Sequence, residues 1–434
     1  MSPQTEAAHL NAELDDIVND PAMPLASLSA VVVREGQVVY QGQFGYRVIE
    51  ERDARKSLPV TTATLFKVAS ISKLVTAIGA MRLVEQGRLD LDADISRYLG
   101  FALRNPHFPD RPITARMLLS HTSSLRDGGG YTFALGSSLQ SILVPSGANY
   151  GAGAQWASSR PDEDRAPGKF FDYVNLNWGV LGTVMEAASG QRFDRYMKSA
   201  VLAPLGIAGH FNAEELTPDE VRNLAVLYRK RTGENAWDSK GPWVPQTDDY
   251  RGQVPAPRAG IERYVPGTNA IAFSPQSGLR ISAAGLARLM QLLLNGGELD
   301  GVRLLTPASV KALLQEQWHF DAARPNGDNF RGLFNAWGLG VQHFLDQGAP
   351  GHGDRLVAHG GMRGYGHLGF AYGLNAAFVF DPVRRIGLIY IIGGVGVDPE
   401  QLSGRYSTLN PWEERVLDAL YRRAILGDAA GTGK

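Results

Sequence analysis

The chain has no cysteine among its 434 residues. That absence excludes disulfides, thiolate metal sites and a cysteine nucleophile, and it leaves the compartment open. A charge surplus is missing too: the net charge is −1, so there is no electrostatic footprint for nucleic acid or an anionic membrane. No run reaches the roughly 18 apolar residues of a membrane span. The first residues, MSPQTEAAHLNAELDDIVND, are polar and acidic, with neither a basic start nor an apolar stretch, which is unlike a signal peptide. The expectation is a soluble cytoplasmic protein, or a periplasmic one if a leader has been removed. The nine histidines nowhere adopt H-E-x-x-H spacing, so no metal site is expected and no cofactor is called for. No internal repeat is visible.

What is present is enough apolar material, 44% of residues, for a large core. Residues 28–48, LSAVVVREGQVVYQGQFGYRV, read as two strands turning at Glu35-Gly36. Residues 367–394 repeat the pattern, with breaks at Gly373-Leu374-Asn375 and Asp381-Pro382. After them, NPWEERVLDALYRRAIL offers Asn410 as N-cap and Pro411 in the first helical position. The middle of the chain reads helical at 72–89, 115–125, 175–190 and 194–206. The pattern predicts an antiparallel sheet built from both termini (1–75 and 277–434), flanked by helices, with a helical subdomain (76–276) inserted. Two polar, Gly/Pro/Ser-rich stretches, 126–166 and 231–270, hold Trp156, Trp237 and Trp243 and read as lids over a cleft.

The stretch FKVASISKLVTA (66–77) places Ser70 three residues before Lys73 at an apparent helix start. Residues at that spacing share a helix face, so the lysine amine can reach the serine hydroxyl. A free serine is a poor nucleophile at neutral pH and needs an adjacent base. Lysine serves as one when burial lowers its pKa. The plainer alternative is that Ser70 or Ser72 caps the helix.

Two later sites bear on that choice. Tyr173-Val174-Asn175 lies at a loop-to-helix junction; beside an amine the phenol is a second candidate base, and the carboxamide can hold Lys73. Alone, a half-buried core tyrosine and a capping asparagine would be the better explanation. His359-Gly360-Gly361 reads as the start of a strand where Gly-Gly would let a ligand approach the backbone, with the Met362 N–H available to an oxyanion. The alternative is an ordinary glycine-rich strand start.

In order and spacing, Ser70-x-x-Lys73, Tyr173-x-Asn175 and His359-Gly360-Gly361 resemble the boxes of the serine β-lactamase and penicillin-binding-protein superfamily. The tyrosine makes the chain similar to the class C β-lactamase branch. D-alanyl-D-alanine carboxypeptidases, D-amino-acid amidases and aminopeptidases, and family VIII carboxylesterases also belong there. The stretches 113–125, 277–297 and 337–340 resemble that family as well. The resemblance implies a β-lactamase/transpeptidase-like α/β fold with an all-helical subdomain and a cleft between them. Ser70 would attack an acyl carbon, and Lys73 with Tyr173 would move the proton. The N–H groups of Ser70 and Met362 would hold the oxyanion, and Asn175 and His359 would position the substrate. Two departures stand out: His359 replaces a lysine, and Ser124 replaces a glycine after His121-Thr122-Ser123. The implied activity is a carboxylesterase on short acyl esters through an acyl-enzyme. The alternatives are a D-peptidase, amidase or weak β-lactamase on amides or lactams, or a catalytically idle penicillin-binding relative.

Overall fold

A computed structural model describes residues 3–232 and 236–427; three residues of the 231–270 stretch therefore lie outside the description. Its principal elements are helix α1 (Pro3–Val18), strands β1 (Ser27–Arg34) and β2 (Gln37–Val48), and helices α2 (Ile71–Glu85), α3 (Leu176–Ser189) and α4 (Ala283–Leu294). Strands β3 (Gly364–Ala371), β4 (Leu374–Asp381) and β5 (Ile386–Ile392) follow, and then helix α5 (Pro411–Leu420).

These five strands form the middle of a nine-stranded sheet. Its order runs from the short strands Trp318–His319, Ala336–Trp337 and Gln342–Phe344 through β3, β4, β5, β1 and β2 to Leu58–Pro59. The two ends of the sequence meet where β1 lies antiparallel to β5, with Leu28 opposite Ile392. Glu35 and Gly36 both have positive φ, 54° and 76°, as a two-residue turn of primed type requires. The second hairpin turns one residue earlier than its sequence suggests, at Tyr372-Gly373, again with both φ positive, 56° and 88°.

Strand alternation divides the interior. Val31, Phe378, Ile389 and Ile391 face a core shared with α2, α3 and α4, whereas Val32, Val379, Leu388 and Tyr390 face one shared with α1 and α5. Helix α5 begins as its sequence predicts: Asn410 and Glu413 form a capping box behind Pro411. Among the described residues no helix is long and apolar enough to cross a membrane.

The two stretches expected as lids carry some regular structure and packing of their own. Residues 126–166 include a five-residue helix, Leu139–Leu143, and Trp156 is 5% exposed with its indole N–H donating to the Leu143 carbonyl at 3.1 Å. Trp156 is thus a core residue. Trp243 packs beside Ala26, Val226 and Tyr228, and Trp237 against the α1/α5 core.

Candidate active site

Ser70 ends a tight connection. The short strand Phe66–Lys67 pairs with Arg280–Ile281, and Ala69 then adopts φ +48°, a left-handed conformation costing a non-glycine residue about 1–2 kcal/mol. The turn delivers Ser70 to the N-cap of α2, yet its hydroxyl makes no capping bond. That hydroxyl instead accepts a hydrogen bond from Lys73 Nζ at 2.9 Å. Ser72 is the structural serine of the pair, fully buried and accepting from the Leu279 N–H at 3.0 Å.

Lys73 is completely buried and donates to three oxygens: Ser70 Oγ, Asn175 Oδ1 at 2.8 Å and the Gln276 carbonyl at 3.2 Å. Burial pushes its amine down to about 7, opposed by the negative charge of Asp127. Tyr173 covers it, with its ring centroid 4.9 Å from Nζ. Burial drives the phenol well above its ordinary value of 10, although hydrogen bonding with Ser70 opposes the shift. His121 holds Tyr173 in place: its ring stacks on the phenol ring at 4.5 Å, and its Nδ1 accepts the Val174 N–H at 3.0 Å. Three residues further on, Ser124 occupies the expected glycine position at φ +71°, and its hydroxyl accepts from Asn105 at 3.0 Å, which offsets part of the strain.

The structure thus brings Ser70, Lys73, Tyr173 and Asn175 together. It does not bring the His359 segment to them. His359 is exposed, and Gly360 and Gly361 (φ +66° and +90°) form a turn before the strand instead of its start. The Gly361 N–H donates to Asp346 at 2.8 Å, and Met362 is buried with Trp412 and Tyr421 in the core on the other face of the sheet. The assignment of His359, Gly360, Gly361 and Met362 to the site is corrected accordingly.

The strand beside Ser70 carries His367-Leu368-Gly369 instead. A side chain at Gly369 would lie 2.7 Å from the Val68 carbonyl oxygen, so glycine is needed for the strand to pass this close to the Ser70 segment. His367 is 2% exposed, and its ring lies 6.2 Å from that of Tyr173. Burial, and then the Lys73 charge, push its imidazole down to about 3, so it is neutral. Because Tyr372-Gly373 is a two-residue turn, Ala371 and Leu374 form the hydrogen-bonded pair next to it, and Phe370 opposite Asn375 falls in a non-hydrogen-bonded pair. The Phe370 N–H is therefore directed away from β4. The Gln342–Phe344 strand pairs with β3 only as far as Gly366, so among the described residues this edge has no strand neighbour at Phe370.

Asp127 is a site residue that the sequence does not reveal. Its carboxylate accepts the Asn175 N–H, the Asn175 side-chain NH2 and the Leu176 N–H, each at 3.0 Å. It caps α3 and turns the Asn175 carbonyl oxygen toward Lys73.

A serine, a lysine and a tyrosine thus cluster at a helix start beside a strand edge on an α/β scaffold, an arrangement chemically suited to acyl transfer. The family described as Beta-lactamase matches residues 18–408, and the chain belongs to it, within the serine β-lactamase and penicillin-binding-protein superfamily. Penicillin-binding protein 4* of Bacillus subtilis (strain 168) is 29% identical over 198 residues, covering 44% of this chain and 40% of that one. Esterase EstB of Burkholderia gladioli is 31% identical over 221 residues, covering 48% and 54%. The chain thus spans about half the length of these relatives. The octameric penicillin-binding protein homologue from Pyrococcus abyssi shares the fold, with a TM-score of 0.64 at 20% identity over 97% of this chain and 77% of that one.

Proposed function

We propose that the chain is a serine hydrolase, specifically a carboxylesterase acting on short acyl esters through an acyl-enzyme on Ser70. The observation that carries this reading is the 2.9 Å contact from Lys73 Nζ to Ser70 Oγ, made by an amine that burial brings to about 7. Near neutral pH a large share of that amine is free base, whereas the Tyr173 phenol stays protonated. Lys73 is therefore the base, and Tyr173 passes the proton on. The Ser70 hydroxyl gives its proton to Lys73 as Oγ bonds to the acyl carbon. The N–H groups of Ser70 and Phe370 hold the resulting oxyanion, and the leaving alkoxide departs with a proton delivered through Tyr173. Water, deprotonated by the same pair, then releases the acid and restores Ser70.

Esters are favoured over β-lactams because of charge. A lysine in the strand box would be a permanent cation for a substrate carboxylate, and neutral His367 is not. A missing charge-assisted hydrogen bond costs about 1.5–3 kcal/mol, or roughly ten- to a hundredfold in binding. Intact-mass labelling with a fluorophosphonate should modify Ser70, and kcat/KM for p-nitrophenyl butyrate should exceed that for nitrocefin by orders of magnitude. Nitrocefin turnover matching the ester would overturn the esterase reading in favour of a lactamase or peptidase. An adduct on another serine would overturn the nucleophile.

A further inference from the structure

Four lysines among the described residues are not exposed, and three of them donate to oxygen. Lys73 has the partners given above, Lys198 donates to the carbonyls of Ile207 and Gly209 at 3.3 and 3.0 Å, and Lys230 donates to that of Gly241 at 2.9 Å. Lys67 makes no hydrogen bond or ion pair among the described residues. Its Nζ instead lies 5.0 Å from the ring centroid of Tyr372. Withdrawing an ammonium from water without a counter-charge is costly, so such a lysine calls for an explanation.

Its surroundings increase the imbalance. Arg280, opposite Lys67 in the short strand pair, binds Asp248 through two bonds of 3.0 and 2.8 Å. The carboxylate whose charge reaches Lys67 is therefore already neutralised, and one positive charge is left over. Burial and the Arg280 charge lower the Lys67 ammonium to about 8, against the pull of Asp248, which still leaves it mostly protonated at neutral pH.

The location gives this charge a use. Lys67 precedes Ser70 by three residues, at most about 10 Å of extended chain. Gly369 of β3 abuts this segment at Val68. His367 lies to one side of that crossing. Tyr372, over Lys67, lies beyond it on the other side, about 16 Å further along the strand. The same rim carries apolar surface: Tyr372 is 44% exposed and Tyr131 40%. A short carbon chain can rest there between the nucleophile and the unpaired ammonium.

We propose that Lys67 is a specificity-determining residue that binds a carboxylate at the far end of the substrate's acyl chain, making half-esters of short dicarboxylic acids the preferred substrates. The proposal rests on the reading of Ser70 as the nucleophile. The test compares p-nitrophenyl butyrate with the mono-p-nitrophenyl esters of glutaric and adipic acid, uncatalysed rates subtracted, for wild type, Lys67→Met and Lys67→Arg. In the wild type the better half-ester should exceed butyrate at least tenfold in kcat/KM. Lys67→Met, which keeps the apolar stem, should lower that ratio ten- to a hundredfold, mainly through KM, and Lys67→Arg should retain part of it. Half-esters no better than butyrate in the wild type would overturn the proposal without recourse to any variant, as would a ratio unchanged by Lys67→Met. Failure of the esterase reading is distinct: butyrate itself would not be turned over.

Discussion

Asn175 presents its carbonyl oxygen to Lys73 because Asp127 occupies its NH2 group and both adjacent backbone N–H groups. Asp127→Asn would put an NH2 group against at least one of those donors and remove the charge that raises the lysine. The sign follows directly. On the proposed mechanism catalysis needs the free amine, so kcat/KM should rise with pH through the Lys73 titration at about 7. Without the negative charge that pKa falls further, and the acidic limb should move to lower pH while the plateau drops roughly tenfold or more. A pH–rate profile reads both; a lower plateau with an unmoved limb would mean that Asp127 only braces the helix. The spacing of Ser70, Lys73, Tyr173 and Asn175 was legible because each pair lies within one helical turn or one short loop. Asp127 was not, since nothing in a Gly-rich loop 48 residues upstream of Asn175 marks it as a partner. The third box failed for another reason. His359-Gly-Gly and His367-Leu-Gly stand eight residues apart in one glycine-rich run, and only strand register tells which of them passes Ser70.

Hairpins and amphipathic helices announced themselves through turn residues and periodicity, as at Glu35-Gly36 and in α5. The stretch 126–166 did not, because the helix Leu139–Leu143 is too short to show a period and its contacts come from elsewhere in the chain. Its tryptophan reads as a lid aromatic until its neighbours are known. Trp156 belongs to the core, and Trp156→Ala should cost about 3–5 kcal/mol of stability, as for other buried large-to-alanine changes. Urea unfolding measures the loss, and relative kcat/KM across acyl chain lengths should stay put. A shift in chain-length preference with little loss of stability would return this residue to the cleft. The stretch does reach the Ser70 cluster, through Asp127 and through Tyr131 at its rim rather than through Trp156.

At the scale of the molecule, strand-rich termini around a helical middle were enough to foresee a sheet closed by both ends. The partners were not foreseeable, because β1 against β5 joins residues more than 350 apart with no turn to set the register. The Ser70 cluster inherits this remoteness. Ser70 and Lys73 are neighbours, but Lys73 reaches Gln276 across 203 residues and Ser72 reaches Leu279 across 207.

Those long spans have a consequence in time. Closing a chain segment of that length costs entropy before any contact rewards it, so contacts distant in sequence are made late in folding. Helices α2 and α3 draw on local bonds and can form early, but the oxygen from Gln276 that helps to seat the lysine arrives only once the whole insertion has docked. On dilution from denaturant, helical circular dichroism should therefore recover ahead of ester hydrolysis, and a stopped-flow trace set beside timed activity assays would resolve the gap. Recovery of both with one rate constant would mean that the cluster assembles together with its helices. If the lag is there, the chain passes through a stage in which it has its shape and not yet its chemistry, and the proposed nucleophile becomes reactive only inside a finished fold.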